Sequence, residues 1–408
     1  MSAGLEDVWR REVPHVLGAL VRRYGDFDAC EDALQEAMAD ATVQWARDGV
    51  PEQPRGWLVR VASRRLVDRW RGERARADRE LRVAAEEVDP GPGPAEDDTL
   101  DLLFLCCHPS LSTASQVALA LRAVGGLSTE QVAAGFLVPT TTMGQRISRA
   151  KGTLREAGAR FGPLPAAERP ARLAAVRHVL YLVFNEGYTV SRGEALVDVS
   201  LTDEAIRLCR LLHERLPGDD ETAGLLALMV LTAARTPART DHAGDLVRLA
   251  DQDRSLWDRR LVAEGVAILE RVLPRGRVGR FQLEAAVAAV HAEAARVEDT
   301  DWPQIATLYA MLHDVSPSPA VTLSRAVAVG MAEGPLAGLA LTDPLLADRS
   351  MSRHHRLHSV RGHLLELAGR PGEAAEAYRV AASLSTSIPE QRYLNARAAE
   401  VRRQARPS

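Results

Sequence analysis

The sequence predicts an all-α protein, and three observations carry that expectation. Hydrophobic residues fill 46% of the 408 positions while aromatics fill only 4%, so Leu, Val and Ala do the packing, which favours helices over sheets. Apolar residues recur at helical spacing in the N-terminal segments and again in a long run of segments after Ala166. Leu127 to Glu156 reads as two short helices around a tight turn. A chain of this length holds two or three domains, each able to bury its own core. The formal net charge of −4 requires any nucleic-acid surface to be local rather than global.

The first predicted helix runs from Asp7 to Tyr24, with Val8, Val13, Val16, Leu17 and Leu20 on one side. In the next, Ala33, Ala37, Ala41 and Trp45 form a stripe at four-residue spacing, and Glu31, Asp32, Gln35, Glu36 and Asp40 occupy the opposite side. Such an acidic face is either simply solvated or a docking surface for a basic partner. A proline-bounded loop, Asp48 to Arg55, leads into a helix from Gly56 to Arg82. Ten arginines lie between Arg55 and Arg82, against Asp68, Glu73, Asp78 and Glu80. Leu58, Val61, Leu66 and Trp70 form its inward side, so Arg60, Arg64 and Arg71 gather outside. Clustered arginine in a mildly acidic protein is a phosphate-binding footprint; the alternative is an ordinary charged surface helix. Trp45, Trp57 and Trp70 are read as core, because their spacing puts them on the apolar sides.

Val83 to Asp98 is acidic, rich in Pro and Gly and poor in apolar residues, the composition of a flexible linker. It leaves two separately folded, tethered modules. The second begins near Thr99. Its Cys106-Cys107-His108 run lacks the spacing of a structural zinc site, so the thiols are read as small buried side chains. With Cys30 and Cys209 they make no disulfide framework.

Ser128 and Gln131 form a capping-box start, with Val132, Ala133 and Phe136 as the apolar side of a short helix. Val138-Pro139 breaks it, and Thr140, Thr141 or Thr142 can cap the next. There Met143, Ile147, Ala150 and Leu154 recur as a buried stripe, leaving Thr142, Gln145, Arg146, Ser148, Arg149, Lys151 and Arg155 on the free side. A short apolar-backed helix carrying amides and cations is what a DNA major groove accepts; the alternative is a helical hairpin with a solvated basic face. Lys151 is the single lysine of the chain.

Taken together, the acidic-faced helix, the proline loop, the Trp57-Leu58-x-Arg60-x-Ala62-x-x-Arg65 helix, the linker and a helix-turn-helix ending in Gln145-Arg146-Ile147-Ser148-Arg149-Ala150-Lys151 resemble the sigma-70 family. The match is to the extracytoplasmic-function sigma factors, which keep only the second and fourth sigma domains. The resemblance implies a sigma domain 2 helical bundle over residues 1–82, the linker at 83–98 and a sigma domain 4 helix-turn-helix over 99–162. It implies that Glu31, Asp32, Gln35 and Glu36 dock on core RNA polymerase. Arg55, Trp57, Arg60, Arg64, Arg65 and Arg71 would serve the −10 element, and Thr142, Gln145, Arg146, Ser148, Arg149 and Lys151 the −35 element. Gly144 stands where relatives often carry a polar or basic side chain, and Leu137 and Val138 replace a glycine often found in the turn.

From Ala166 onward, helical segments follow at 168–188, 201–216, 219–236, 254–274, 279–296, 301–315, 319–333, 352–369, 371–385 and 389–403. Paired helices suggest an α-solenoid. Ala368 to Ser385 looks like the second helix of a tetratricopeptide repeat, so residues 163–408 are read as a tetratricopeptide-like array. Such an extension resembles that of a subgroup of these sigma factors, for which it implies regulation by the attached domain. The subgroup is also associated with small YCII-related (DGPF) proteins, which makes one a candidate partner. Two polar stretches stand out within the array, Phe184 to Tyr188 and Leu249 to Arg260. Glu186, Asp251 and Asp253 have the chemistry of acids or ligands, but capping and structural hydrogen bonds are the better reading. His354, His355 and His358 are read as loop or surface residues rather than a metal site.

The whole reading is an all-α, cytoplasmic, non-enzymatic sigma factor without cofactor, metal or membrane segment, whose partners are core RNA polymerase and promoter DNA. The rival readings are a polymerase-independent helix-turn-helix regulator with a repeat sensor, and a helical scaffold or enzyme whose basic helices are incidental.

Overall fold

A computed structural model describes residues 3–77, 98–190, 196–242, 244–349 and 351–404. Among the described residues every regular element is a helix, and the only β interaction is an isolated bridge between Thr240 and Leu246. The fold is all-α. The chain divides into two compact units, Met1–Leu182 and Val183–Ser408.

In the first unit α1 (Ala3–Tyr24) buries Val8, Val13, Val16, Leu17 and Leu20, as their spacing requires. The side chain of Asp26 accepts from the Ala29 backbone N–H at 3.0 Å and starts α2 (Phe27–Asp48). Ala33, Ala37, Ala41 and Trp45 face inward from α2, and Leu58, Ala62 and Leu66 from α3 (Pro54–Ala77). Trp45 lies between Trp9 and Trp57, each 5.2 Å away between ring centroids, so an aromatic row joins the three helices. Trp57 and Trp70 are only half-buried, although their spacing places them in the core.

Four further helices complete the bundle: α4 (Thr99–Cys106), α5 (Thr113–Ala123), α6 (Thr129–Gly135) and α7 (Thr140–Glu156). Residues 83–97, read as a linker, lie outside the described residues. The expectation of separately folded modules is corrected. Helix α1 packs against α4 and α5, α2 packs against α7, and buried Asp98 pairs with Arg22 at the end of α1. Cys106 and Cys107 are fully buried at the end of α4. Burial pushes the Cys107 thiol up to about 12 and that of Cys106 well above its ordinary value.

The turn between α6 and α7 shows how sequence sets the local path. The Ser128 hydroxyl accepts from the Gln131 N–H at 3.1 Å, and the Gln131 side chain accepts from the Ser128 N–H at 2.8 Å. The threonines do not cap α7. Pro139 holds the N-cap position and no side chain serves it. Leu137, at φ 49°, takes the left-handed conformation that the missing glycine would adopt freely.

Helix α8 (Arg169–Tyr188) contains the division between units. The second unit continues with α9 (Val199–Arg215), α10 (Asp220–Ala233), α11 (Arg259–Val272), α12 (Arg280–Glu293), α13 (Trp302–Val315), α14 (Pro319–Ala332), α15 (Pro335–Ala347), α16 (His355–Leu367), α17 (Pro371–Leu384) and α18 (Ile388–Gln404). Packing runs mainly between chain neighbours, the signature of a solenoid. Gly362 lets α16 and α17 close together, because a Cβ there would lie 2.8 Å from the buried Tyr378 ring. Sequence reading misses α15, whose residues are mostly apolar without a clear stripe and include Pro344. It also begins the helix at 254–274 too early. Residues 254–256 form a 3-10 turn, and α11 starts only where the Asp258 side chain accepts from the Arg260 N–H at 2.8 Å. No helix among the described residues is long and apolar enough to cross a membrane.

Candidate nucleic-acid interface and its acidic counterface

Helix α7 is backed by Met143, Ile147, Ala150 and Leu154, all buried. Burying each large member contributes roughly 1.5–3 kcal/mol, which fixes the helix and therefore its outer side. That side exposes Thr142, Gln145, Ser148 and Arg149, with Arg146 half-buried beside them. Amides, hydroxyls and guanidinia along about two turns of helix can donate to base edges and phosphates.

Lys151 does not join them. Expected on the free side, it is instead 7% exposed. Its ammonium lies 2.8 Å from Asp28, 3.1 Å from Glu31 and 2.6 Å from Asp32, all on α2. Three N–H donors meet three carboxylates, an arrangement suited to a compact ammonium rather than a planar guanidinium. Burial alone would lower its pKa; the charge of Glu31 and the bonds to Asp28 and Asp32 outweigh that and raise it. Around it Arg122 reaches Glu31 at 3.1 Å and donates to the Leu127 carbonyl at 3.0 Å, while Arg155 reaches Asp28 at 3.0 Å. Glu31 is itself 4% exposed.

The rest of the α2 acidic face is met by α3. Arg69 lies 2.8 Å from Glu36 and 3.5 Å from Asp32, and Arg65 lies 2.9 Å from Glu36 and also pairs with Asp40. Gln35 is half-buried. Arg65 is thus turned toward α2. Arg55, Arg60, Arg64 and Arg71 are exposed, Arg55 2.8 Å from Glu12 and Arg64 4.0 Å from Asp68. These two exposed sets of arginines, on α3 and α7, are the candidate contacts to nucleic acid. Of the other arginines read near them, Arg79 and Arg82 lie outside the described residues.

Comparison with known proteins gives this geometry a family. Residues 8–76, covering almost all of α1 to α3, match the family described as Sigma-70 region 2. A probable ECF RNA polymerase sigma factor, SigI of Mycobacterium tuberculosis, is 28% identical over 169 residues, which span 40% of this chain and 58% of that protein. This chain matches the sigma-70 family. The match is to its extracytoplasmic-function class, with a long helical extension. An uncharacterised protein of Rhizobium meliloti (strain 1021) shares the whole arrangement, at 42% identity over 394 residues, covering 93% of this sigma-family chain and 92% of its own. Residues 172–273 of the extension match a family of unknown function, DUF6596. No solved structure matches.

Sequence reading of the sigma-family face misses Asp28 and Arg122. The signal that could have found the junction is the lone lysine, a point charge kept where arginine fills every other such position. In the extension, two of the three singled-out carboxylates serve structure: Asp251 pairs with Arg248 at 2.6 Å, and Asp253 accepts from the Ser255 N–H at 2.9 Å. His354 stacks on His355 with centroids 5.0 Å apart, and His358 contacts the Ser352 carbonyl at 2.8 Å.

Proposed function

We propose that the protein is a sigma factor that docks on core RNA polymerase and directs initiation at a dedicated class of promoter. The observation that carries this reading is the exposed row Gln145, Ser148 and Arg149 on a rigidly backed helix, in a chain whose α1–α3 match region 2. Arg60, Arg64 and Arg71 supply a second basic surface for the melted element. RNA synthesis itself belongs to the polymerase, and the chain supplies positioning.

The docking face on α2 is engaged within the free chain, since Glu31 is enclosed by Lys151 and Arg122. Docking through Glu31 and Asp32 therefore exchanges α7 for the polymerase, and the isolated protein rests in a closed state. The helical extension modulates that exchange, and a small YCII-related protein is a candidate ligand of the extension.

Run-off transcription with purified core polymerase on a promoter library tests the reading. Promoter-specific product should appear only when the protein is added. Absence of product, together with tight duplex binding by the protein alone, would favour a polymerase-independent regulator. A chain ending after Tyr188, which retains the Arg172 donation to the Phe104 carbonyl at 3.0 Å, tests modulation. Unchanged promoter output in that chain would remove any role for the extension.

A further inference from the structure

The two polar stretches of the extension converge. Arg235 donates from Nη2 to the Tyr188 hydroxyl at 3.0 Å, and its guanidinium lies 5.8 Å from the Trp257 ring centroid. Arg254 lies 4.9 Å from the same ring. It is held by the His291 and Ala294 carbonyls, each at 2.6 Å, and by the Thr300 hydroxyl at 3.4 Å. Arg239 stacks 3.7 Å above the centroid of Tyr188 and donates to the Tyr188 carbonyl and, at 3.0 Å, to the Thr189 hydroxyl. Arg239 and Arg254 are only 6% and 7% exposed.

The hydrogen-bond partners of these three guanidinia are all neutral. Among the described residues none of them forms an ion pair with a carboxylate. Glu390 acts on Arg239, and Glu298 and Asp299 on Arg254, only at longer range. The same chain surrounds buried Lys151 with three carboxylates, so uncompensated cations here are a departure from its own habit. Grouped buried cations without counter-charge are costly. Unused hydrogen-bonding atoms sit in the same group. The Nε1 of Trp257, 2% exposed, the Nε of Arg235 and the Nδ1 of His291, 9% exposed, have no partner. Burial, with Arg235 and Arg254 close by, holds His291 down to about 4, so the ring is neutral near pH 7 and adds no charge of its own.

We infer that Arg235, Arg239 and Arg254, gathered around Tyr188 and Trp257, bind a small oxyanion ligand that presents a phosphate or carboxylate group. Guanidinium forks match both groups, and the indole and guanidinium N–H atoms left over would donate to the ligand's oxygens. The site would make the extension a receptor for an anionic metabolite, independently of how the N-terminal unit meets a polymerase.

The test is thermal unfolding of the full chain in sodium phosphate, sodium acetate and sodium chloride at one ionic strength. Phosphate or acetate should raise the midpoint by a few degrees over chloride, and whichever raises it more assigns the group. Arg235→Gln, chosen because the Arg235 guanidinium donates to the Tyr188 hydroxyl and not to a backbone carbonyl, should abolish the rise while unfolding in chloride at or above the wild-type temperature. Equal midpoints in the three salts, or a rise that survives Arg235→Gln, would overturn the assignment. If Arg235→Gln does not fold, the indole signal decides. The fluorescence change on adding phosphate or acetate should be present in the wild type and absent from Trp257→Phe, and an identical change in both overturns the site.

Discussion

The Lys151 ammonium lies 3.1 Å from the Glu31 carboxylate across 120 residues of sequence, and this pair joins α7 to α2. Removing Lys151 leaves Glu31 with Arg122, and removing Glu31 leaves Lys151 with Asp28 and Asp32, so neither charge is stranded. Lys151→Met and Glu31→Gln should each lower stability in urea unfolding by less than the cost of about 3–5 kcal/mol for a buried pair broken outright. The double variant should cost less than the two together. Additive losses would show that the pairing is incidental. The raised pKa of Lys151 sets the pH behaviour. Its contribution is fully present below the unfolded value of about 10.4 and is lost as pH rises through the higher folded value. The alkaline loss of stability should therefore be steeper in the wild type than in Lys151→Met once the constant offset is subtracted.

Promoter discrimination should rest on Gln145 and Arg149. Alanine at either position should cost about 1–3 kcal/mol of base discrimination at one position of the −35 element, measured as relative occupancy across a mutated promoter set with polymerase present. Arg60→Ala and Arg64→Ala should instead weaken all promoters alike and flatten the salt dependence, by about one unit of slope for each phosphate no longer neutralised. Base-specific effects from Arg60, or none from Arg149, would reverse the assignment of the two surfaces.

Leu137 holds φ 49° and is 45% exposed, so it contributes little packing to offset its backbone strain. Leu137→Gly should stabilise the helix-turn-helix by about 1 kcal/mol. A higher urea midpoint for the variant is the expected result; a lower one would mean that the side chain matters more than the turn.

Much of this molecule is legible in its residues alone. The stripes on α1, α2 and α7 fall inward as their spacing requires, and the Ser128–Gln131 box forms as written, because these are local patterns set by helical period and capping. What sequence does not carry is partnership at a distance. Lys151 and Arg149 are two residues apart on one helix, yet one enters an acidic pocket and the other faces outward. Helical period places them about 200° apart, but only the fold of α2 against α7 says which side is open. Helix α15 escapes for the converse reason, since it is apolar without a distinct stripe and gives no phase to read. Tyr188 and Trp257 lie in stretches whose polarity marks them out, whereas Arg235 and Arg239 lie elsewhere and give no signal, because arginine is common throughout the chain.

His291 should make the extension acid-sensitive. Its folded pKa of about 4 lies below the unfolded value of about 6.5. Between those limits the unfolded chain binds a proton that the native state does not. Stability from this residue therefore falls as pH drops through that window, by at most about 1.4 kcal/mol per pH unit. His291→Gln should flatten the dependence of the unfolding free energy on pH between 6.5 and 4. An unchanged slope would assign the acid sensitivity to other groups.

Because the chain carries a single side-chain amine, acylating reagents have one internal target, and it is sealed away with its proton held tightly. Modification of Lys151 by an N-hydroxysuccinimide ester should be slow in the isolated protein and fast once α7 leaves α2. Any separation of α7 from α2 would thus carry its own covalent reporter, readable as a mass increment on one peptide without adding any label to the protein.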